Sequence, residues 1–248
     1  METPIQGPGR RSRRPRLSTL SGLLGLVLLL AGSYIGLFVA PAERHMGDVV
    51  RIVYVHVPCA WISMVCYTLA FGFAIAFLFG RQPRWDHLTT GAVEVGIVLN
   101  VLLLVQGMLF ARPTWGIWWT WADVRLVFSF LMFLLFAGVL ALRAFVDDPA
   151  RRGTWTAIAT ITAFVDVPLV YYCVRWWRSL HQMQSTPETM DAAMKLPMRI
   201  NAFAVLFLAG WFIARRAELE RRRQEIDEVA EPARLPVAGS PAGHGVEA

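Results

Sequence analysis

Charged residues are scarce in this 248-residue chain, where Asp, Glu, Lys and Arg together make up only 17% of the sequence. Soluble globular domains contain about 25% charged residues, so the composition argues against a cytosolic enzyme. Hydrophobic residues make up 56% and are grouped in long blocks. Because these blocks occupy most of the chain, there is no room for a separate soluble catalytic domain.

Cysteine is also scarce, with three residues and no C-x-x-C motif, which argues against thiol–disulfide chemistry. Cys59 and Cys66 are about 10 Å apart along a helix, which is too far for a disulfide. Cys173 and Cys59 are both expected near one membrane face, which leaves a contact between them open. We interpret the three thiols as small buried side chains.

Six apolar blocks are long enough to cross a bilayer, which takes about 20 predominantly apolar residues. The predicted spans are 17–39, 52–79, 91–110, 124–146, 155–174 and 197–213. Pro58 is expected in the first turn of the second span. The first span follows an arginine-rich arm as a secretory signal does, but it exceeds the roughly 7–15 apolar residues of a signal core, so we interpret it as uncleaved.

The predicted fold is therefore an all-α polytopic membrane protein with six transmembrane helices. It comprises a basic arm at 1–16, a membrane domain at 17–213 and a tail at 214–248. The tail begins as a charged helix, and from Glu231 onward its Pro, Ala and Gly residues predict disorder.

Basic residues are unevenly distributed between the two sides of this membrane domain. The N-terminal arm, the segments 81–90 and 143–154 and the tail carry two thirds of the 24 Lys and Arg residues. The positive-inside rule therefore predicts that both termini are cytoplasmic, and that 40–51, 111–123 and 175–196 face the periplasm of a bacterium. Topology also explains the net charge of +6, so we predict no nucleic-acid partner.

Tryptophan is concentrated in one of the predicted outer loops. Seven of the ten tryptophans are expected on the outer side, and four of them lie within seven residues: Trp115, Trp118, Trp119 and Trp121. An aromatic belt would enrich tryptophan at both membrane interfaces. The one-sided cluster favours a flat platform for a large planar aromatic ligand, because indole faces offer apolar stacking area.

Two histidines share the outer side with these tryptophans. His56 precedes Pro58 at the start of the second span, and His181 follows the fifth span. A single interfacial histidine is usually an ordinary hydrogen-bonded residue, but two near tryptophan on one face favour axial ligation of a haem iron, which imidazole suits. His45 lacks aromatic neighbours and His87 is expected on the cytoplasmic side, so neither is a candidate.

Three motifs resemble one known family. Trp115-Gly-Ile-Trp-Trp-Thr-Trp-Ala-Asp-Val-Arg-Leu126 resembles the WWD domain of bacterial haem-handling proteins. Tyr54-Val-His-Val-Pro58 and Trp176-Trp-Arg-Ser-Leu-His-Gln182 resemble the flanks of two external haem-ligating histidines in the haem exporter protein C family, also called cytochrome c maturation protein C. The resemblance covers about residues 17–213, with the WWD loop at 111–126.

The resemblance implies a multi-pass protein of the bacterial inner membrane that binds haem b at the periplasmic surface without being an enzyme. It implies transfer of haem to a periplasmic haem chaperone, cytochrome c maturation protein E, alongside ATP-binding-cassette subunits and a small single-span accessory subunit. The implied haem-binding residues are the axial ligands His56 and His181, together with Trp115, Trp118, Trp119, Trp121, Asp123 and Arg125.

The chain departs from the family pattern at two positions. Ala122 stands between Trp121 and Asp123, where the pattern runs Trp-Asp-x-Arg-Leu, and an extra residue would rotate the following helix by about 100° unless it is absorbed locally. Asp166 lies near the middle of the fifth span, where we expect a protonated or hydrogen-bonded acid close to Asn100.

Arginines near the predicted outer face are candidates for binding the haem propionates, since a guanidinium binds a carboxylate with two parallel hydrogen bonds. They are Arg51, Arg112, Arg125 and Arg178. For Arg125, we expect a local ion pair with Asp123 before a role toward haem.

Two other functions are considered for such a membrane protein. A haem lyase, or cytochrome c synthase component, of the WWD superfamily is expected to be longer and to carry a further histidine pair inside the membrane. A membrane redox cytochrome is expected to hold haem between histidines within its spans. No histidine of this sequence lies in the middle of a predicted span, which favours the haem-presenting subunit.

Overall fold

The computed structural model describes residues 15–181 and 191–234, and the regular elements of these residues are helical. The α-helices are α1 (Pro15–Tyr34), α2 (Val53–Gly80), α3 (Pro83–Trp115), α4 (Val124–Phe145), α5 (Pro149–Ala163), α6 (Asp166–Trp176) and α7 (Ala192–Arg234). A π-helical turn, Ile35–Val39, extends α1, and a 3₁₀-helical turn, Asp48–Ile52, leads into α2. The predicted all-α class is confirmed.

Six helical segments are long and apolar enough to cross a membrane, which confirms the predicted number of spans. They are Ser18–Val39, Asp48–Gly80, Pro83–Trp115, Val124–Phe145, Arg151–Trp176 and Ala192–Ile226. The third span is longer than predicted at both ends, because its helix continues into polar residues that hydropathy does not count. In the fifth span, α5 and α6 are separated by a break at 164–165.

The predicted helix in the tail is confirmed, because α7 continues to Arg234 without a break. Disorder was expected from Glu231, but residues 231–234 still belong to this helix. The tail beyond 234 and the basic arm at 1–14 lie outside the described residues.

Pro58 lies inside α2 rather than in its first turn, because the helix already begins at Val53. Proline has no N–H, so the carbonyl of Tyr54, four residues earlier, receives no helical hydrogen bond. The side chain of Asn201 in α7 fills this gap, since its Nδ2 donates to the Tyr54 carbonyl at 2.9 Å. This bond attaches the beginning of α2 to α7.

The main apolar core lies between α2, α3, α4, the α5–α6 pair and α7. Its centre is a stacked pair, Tyr67 on Phe136, with ring centres 3.7 Å apart. The Tyr67 hydroxyl donates to Oδ1 of Asn100 at 3.4 Å, and Nδ2 of Asn100 donates to the Ser129 carbonyl at 3.3 Å. The three cysteines are free and buried around this core, as interpreted from the sequence.

Asp166 begins α6 at the break of the fifth span. Its side chain is 3% exposed, and neither carboxyl oxygen has a hydrogen-bond partner among the described residues. Of the two expected states, a protonated or a hydrogen-bonded acid, the hydrogen-bonded one is therefore wrong for the described residues. The amide of Asn100 is instead bonded to Tyr67 and Ser129.

Charged side chains are paired at the end of the bundle formed by the start of α3, the end of α4 and the middle of α7, which we call the inner end. Arg143 binds both carboxylate oxygens of Asp86, at 2.8 and 2.9 Å, and also Glu220 at 2.8 Å. Arg216 pairs with Glu94. These contacts join α3, α4 and α7. The opposite end, which carries His56 and His181, is called the outer end.

Candidate functional site

The three segments predicted to face outward meet around one cavity of about 660 Å³ at the outer end. Its volume is within the range of about 300–1,000 Å³ that is typical of small-molecule sites. The walls come from the turn before α2, the outer halves of α2, α3 and α4, and the segments next to α6 and α7. The lining residues that carry the site are His56, Gly107, Trp115, Arg125 and His181.

His56 and His181 face each other in this cavity. Their ring centres are 6.1 Å apart, and the ring planes are inclined by 66°. His56 is supplied by the second turn of α2 and is only 9% exposed. Gly107 in α3 provides room for it, because a Cβ at that position would lie 3.3 Å from Cε1 of the imidazole.

The spacing of the two rings fits one iron ion between them. Imidazole–metal bonds are about 2 Å long and a ring centre lies about 1 Å behind its nitrogen, so the centres of two axial imidazoles are about 6 Å apart. Nδ1 of the buried His56 also has no hydrogen-bond partner in the described part of the chain. Such an unpaired buried nitrogen is unusual without a ligand.

Among the described residues, the facing imidazoles of this cavity are a pair and not part of a larger group of metal ligands. Within residues 15–181 and 191–234, no group of three or more His, Cys, Asp or Glu side chains could hold a metal ion. A bare ion usually requires more protein ligands than two. Two imidazoles on opposite sides instead suit a metal whose other positions are filled by a macrocycle, as in haem.

The protonation state of His181 suits a metal ligand. Burial lowers its pKa from 6.5 to about 3, with further contributions from the nearby charge of Arg125 and from His56. The imidazole is therefore neutral at physiological pH. Neutral imidazole is the form that donates a lone pair to a metal.

Asp123 connects α4 to the segment that carries His181. Its Oδ1 caps α4 by accepting the backbone N–H groups of Arg125 and Leu126, at 3.0 and 3.2 Å. Its Oδ2 accepts the Ser179 hydroxyl at 2.8 Å and the Leu180 N–H at 2.6 Å. Although burial alone would raise the pKa of Asp123, these hydrogen bonds lower it overall. The carboxylate thus fixes the backbone immediately before His181.

Ala122, the additional residue of the tryptophan loop, is absorbed before the helix. Residues 121–122 form a turn, and the Ala122 N–H donates to the Thr120 hydroxyl at 3.2 Å. Asp123 then occupies the N-cap position of α4. Because the extra residue precedes the cap, it does not rotate α4 relative to Asp123.

Arg125 is distinguished from the other three candidate arginines by its position. Its guanidinium lines the cavity, and it forms no hydrogen bond or ion pair with the residues that the structure describes. The expected ion pair with Asp123 is wrong, because that carboxylate is used by four other donors. Two of the other arginines are already bound within the protein. Arg51 binds Asp48 and the carbonyls of Gly36 and Ala40, and Arg112 binds the Gly116 carbonyl. The third, Arg178, does not line the cavity.

The four loop tryptophans do not lie in one plane. Trp115 ends α3 and lines the cavity, with its ring 5.9 Å from that of His181 and inclined by 76°. Trp118 and Trp121 are 53% and 69% exposed and do not line it. Trp119 contacts Trp121 at an interplanar angle of 74°. The cluster therefore consists of the wall residue Trp115, the half-buried Trp119 and an exposed rim formed by Trp118 and Trp121, rather than the expected flat platform.

Sequence reasoning missed two residues that shape this site. Gly107 stands in an apolar block without any motif, so nothing in a single sequence marks it. Ser179 has a weak signal, since it lies two residues before His181. Its hydroxyl accepts the His181 N–H at 3.0 Å while donating to Asp123.

Comparison with known proteins gives one consistent family. Residues 12–230 match the family model described as Heme exporter protein C. Heme exporter protein C of Bradyrhizobium diazoefficiens is 33% identical over 218 residues, which cover 84% of this chain and 81% of that protein. Heme exporter protein C of Escherichia coli strain K12 is 32% identical over 231 residues, which cover 87% of this chain and 93% of that protein.

A more distant relative is mitochondrial. The putative cytochrome c biosynthesis ccmC-like mitochondrial protein of Marchantia polymorpha is 29% identical over 182 residues, covering 72% of this chain and 77% of that protein.

The family match includes the six spans and the residues around the cavity. Together with the bacterial relatives, the six apolar helices identify a multi-pass protein of the bacterial inner membrane. The chain therefore belongs to the Heme exporter protein C family, whose role is haem handling for cytochrome c biogenesis.

Proposed function

We propose that this protein binds haem b between His56 and His181 at the periplasmic face of the inner membrane and presents it to a haem chaperone. The observation that carries the proposal is the facing imidazole pair, with ring centres 6.1 Å apart across a cavity. Haem is cargo in this role, so the protein holds and releases it without making or breaking covalent bonds.

The two histidines act as axial ligands of the iron. His56 is held in α2, whereas His181 belongs to an extended segment after α6. Asp123 positions that segment through Ser179 and Leu180. One rigid and one loop-borne ligand suit a site that has to release its cargo, since the loop-borne ligand can leave the iron without moving a helix.

Arg125 binds a haem propionate. It lines the cavity without another partner in the described chain, and a cation so close to the neutral imidazole of His181 favours an anionic ligand. Trp115 supports the porphyrin next to His181. Trp118, Trp119 and Trp121 extend the apolar surface from the mouth of the cavity, where the haem edge and the arriving chaperone meet.

The partners in this proposal are cytochrome c maturation protein E as the acceptor, ATP-binding-cassette subunits and a small single-span subunit. The support is family membership, because the relatives are named for haem export and for cytochrome c biosynthesis. Both termini are cytoplasmic in this proposal, which the distribution of Lys and Arg supports.

The test is purification in detergent followed by absorption spectroscopy and haem transfer. Protein loaded with haem is expected to give a six-coordinate spectrum and to retain the haem chaperone on co-purification only when haem is present. Absence of haem from protein incubated with either ferric or ferrous haem would contradict the proposal. Covalent haem attachment to a cytochrome c by this protein alone would favour the lyase instead.

Orientation is tested by reporter fusions. A reporter fused after Ser179 is expected to be periplasmic and one fused after Asp148 cytoplasmic. The reverse pattern would put the cavity on the cytoplasmic side and remove it from a periplasmic chaperone.

A further inference from the structure

The backbone around His56 lacks one helical hydrogen bond. Pro58 cannot donate to the carbonyl of Tyr54, and His56 lies midway between these two residues. Tyr54 is only 2% exposed, so water cannot readily replace the missing donor. Asn201 of α7 supplies it, with Nδ2 at 2.9 Å from the carbonyl oxygen.

Within the described residues, the Asn201 side chain forms no second hydrogen bond that would explain its presence. The residue is fully buried, and its Oδ1 is unpaired within the described residues. A buried polar atom without a partner costs about 1–3 kcal/mol. The bond from Nδ2 to the Tyr54 carbonyl is present in spite of this cost. We therefore interpret this bond as the structural contribution of Asn201.

Helix α1 and the π-helical turn that extends it leave space for this contact through one glycine each. A Cβ at Gly32 would overlap Oδ1 of Asn201, and a Cβ at Gly36 would lie 2.6 Å from Cδ2 of Tyr54. Side chains at these positions would displace either partner of the bond. The close approach of α1 therefore limits the positions open to the Asn201 amide, and the Tyr54 carbonyl selects its Nδ2 end as the partner.

We propose that Asn201 is a positioning residue that orients His56 toward the iron through the Tyr54 carbonyl. Without this donor, the peptide group after Tyr54 rotates to find another partner, and the turn that bears His56 rotates with it. The spacing between His56 and His181 then departs from the value that one iron requires. This role of Asn201 rests on the haem binding proposed above, whereas its hydrogen bond to the Tyr54 carbonyl does not.

The first variant is Asn201→Leu, which keeps the number and branching of the side-chain heavy atoms and removes the donor. Haem is expected to bind about 10- to 100-fold more weakly, as for other residues that orient a metal ligand, and to shift from six-coordinate toward five-coordinate. Gly32→Ala is expected to act in the same direction by displacing the amide. Gly210→Ala is the matched control in α7, because a Cβ there meets nothing within 4 Å.

Rescue by Pro58→Ala separates positioning from general damage. Alanine restores the N–H that pairs with the Tyr54 carbonyl inside α2. In this background, Asn201→Leu is expected to lose most of its effect on the spectrum. Equal effects of Asn201→Leu with and without Pro58→Ala would overturn the proposal.

Amide hydrogen exchange of the haem-free protein gives a second readout. Asn201→Leu is expected to accelerate exchange in peptides covering 53–60, with unchanged exchange in α4, and Pro58→Ala is expected to reverse the acceleration. If the wild type binds haem but Asn201→Leu alters neither coordination nor exchange, only the role of Asn201 is overturned. If the wild type binds no haem, the proposed function fails and the role toward iron fails with it.

Discussion

The inner end of this helical bundle and the cavity at its outer end differ in how their arginine side chains are partnered. At the inner end, Arg143 is bound by Asp86 and Glu220, and Arg216 pairs with Glu94. At the outer end, Arg125 lines a cavity without such a partner among the described residues. Paired charges join helices, whereas an unpaired cation beside a cavity is available to a ligand.

Two buried histidines repeat the same contrast. His87 at the inner end is 6% exposed, and its Nε2 is hydrogen bonded to Gln224 at 2.8 Å. His56 at the outer end is 9% exposed, yet its Nδ1 has no partner in the described chain. Burial alone therefore does not identify a ligand histidine. What supports His56 as a candidate ligand is an unpaired ring nitrogen in a residue that lines a cavity.

If the two ends differ in this way, the largest effect on haem coordination is expected from substitution of the two cavity histidines. His56→Ala and His181→Ala are each expected to convert six-coordinate haem to a five-coordinate or water-ligated form, because each removes one axial nitrogen. The double variant is expected to lose haem. Added imidazole is expected to restore the spectrum of each single variant by filling the vacant position, which absorption spectroscopy will detect.

His45→Ala and His87→Ala are the controls for that experiment, and both are expected to retain the native spectrum. A native spectrum from His56→Ala or His181→Ala would mean that the iron has other ligands. Loss of the spectrum in His87→Ala, with the protein still folded, would remove the distinction between the two ends.

At the inner end, Arg143→Met is expected to affect stability rather than haem. It leaves Asp86 and Glu220 without their cation, and breaking a buried ion pair in this way costs about 3–5 kcal/mol. Thermal unfolding in detergent measures the loss, with Arg143→Lys as a control that retains the charge. A folded Arg143→Met protein with an altered haem spectrum would contradict the separation of the ends.

Two substitutions of Asp123 can separate its role as the cap of α4 from its role in positioning His181. Asp123→Asn can keep the acceptor at the N-cap but replaces the oxygen that binds the Leu180 N–H with a donor. We expect a change in haem coordination with little loss of stability, whereas Asp123→Ala also loses about 1 kcal/mol from the cap. Equal haem spectra for Asp123→Asn and the wild type would argue against positioning of His181 by this carboxylate.

Arg125→Gln is expected to weaken haem binding by about 10- to 100-fold, the loss of one hydrogen-bonded charge pair. It also removes one of the causes that lower the pKa of His181, so that pKa rises, although burial, which is the largest cause, continues to hold it below 6.5. Protons then compete with iron for His181 at a higher pH. Acid titration from pH 7 is expected to release His181 from the iron at a higher pH in Arg125→Gln than in the wild type. Identical titrations would contradict this role.

The smallest expected effect is at the exposed rim of the tryptophan cluster. Trp118→Ala removes a ring outside the cavity and is expected to weaken haem binding by about 1 kcal/mol or less, while Trp115→Ala removes a cavity wall and is expected to cost more. Titration with haem compares the two variants. A greater loss for Trp118→Ala, with both proteins inserted, would mean that the haem extends over the rim.

The six spans and the histidine pair could be predicted because hydropathy and short motifs are local properties of the sequence. The hydrogen bonds of Asp123, in contrast, depend on residues that are distant in the sequence. Its bonds to Ser179 and Leu180 connect residues 56–57 positions apart, and they take the oxygen that the expected ion pair with Arg125 would have needed. A single sequence does not specify which distant backbone groups compete for a carboxylate.

Tryptophan orientation was unpredictable for a related reason. The spacing of the four residues predicted their common segment, but α3 continues through Trp115 and thereby separates it from the other three. Gly107 likewise acquires its role only because α3 passes His56. In both cases, the packing of one helix against another determines the outcome.

The proposed site requires His56 and His181 to bind the same iron from opposite sides. Near-infrared magnetic circular dichroism of the ferric, haem-loaded protein measures this pairing, because the charge-transfer bands depend on the two axial ligands. We expect a low-spin, bis-imidazole spectrum that is lost in His56→Ala and in His181→Ala and regained with imidazole. A high-spin spectrum of the wild type, or one that survives either substitution, would contradict it.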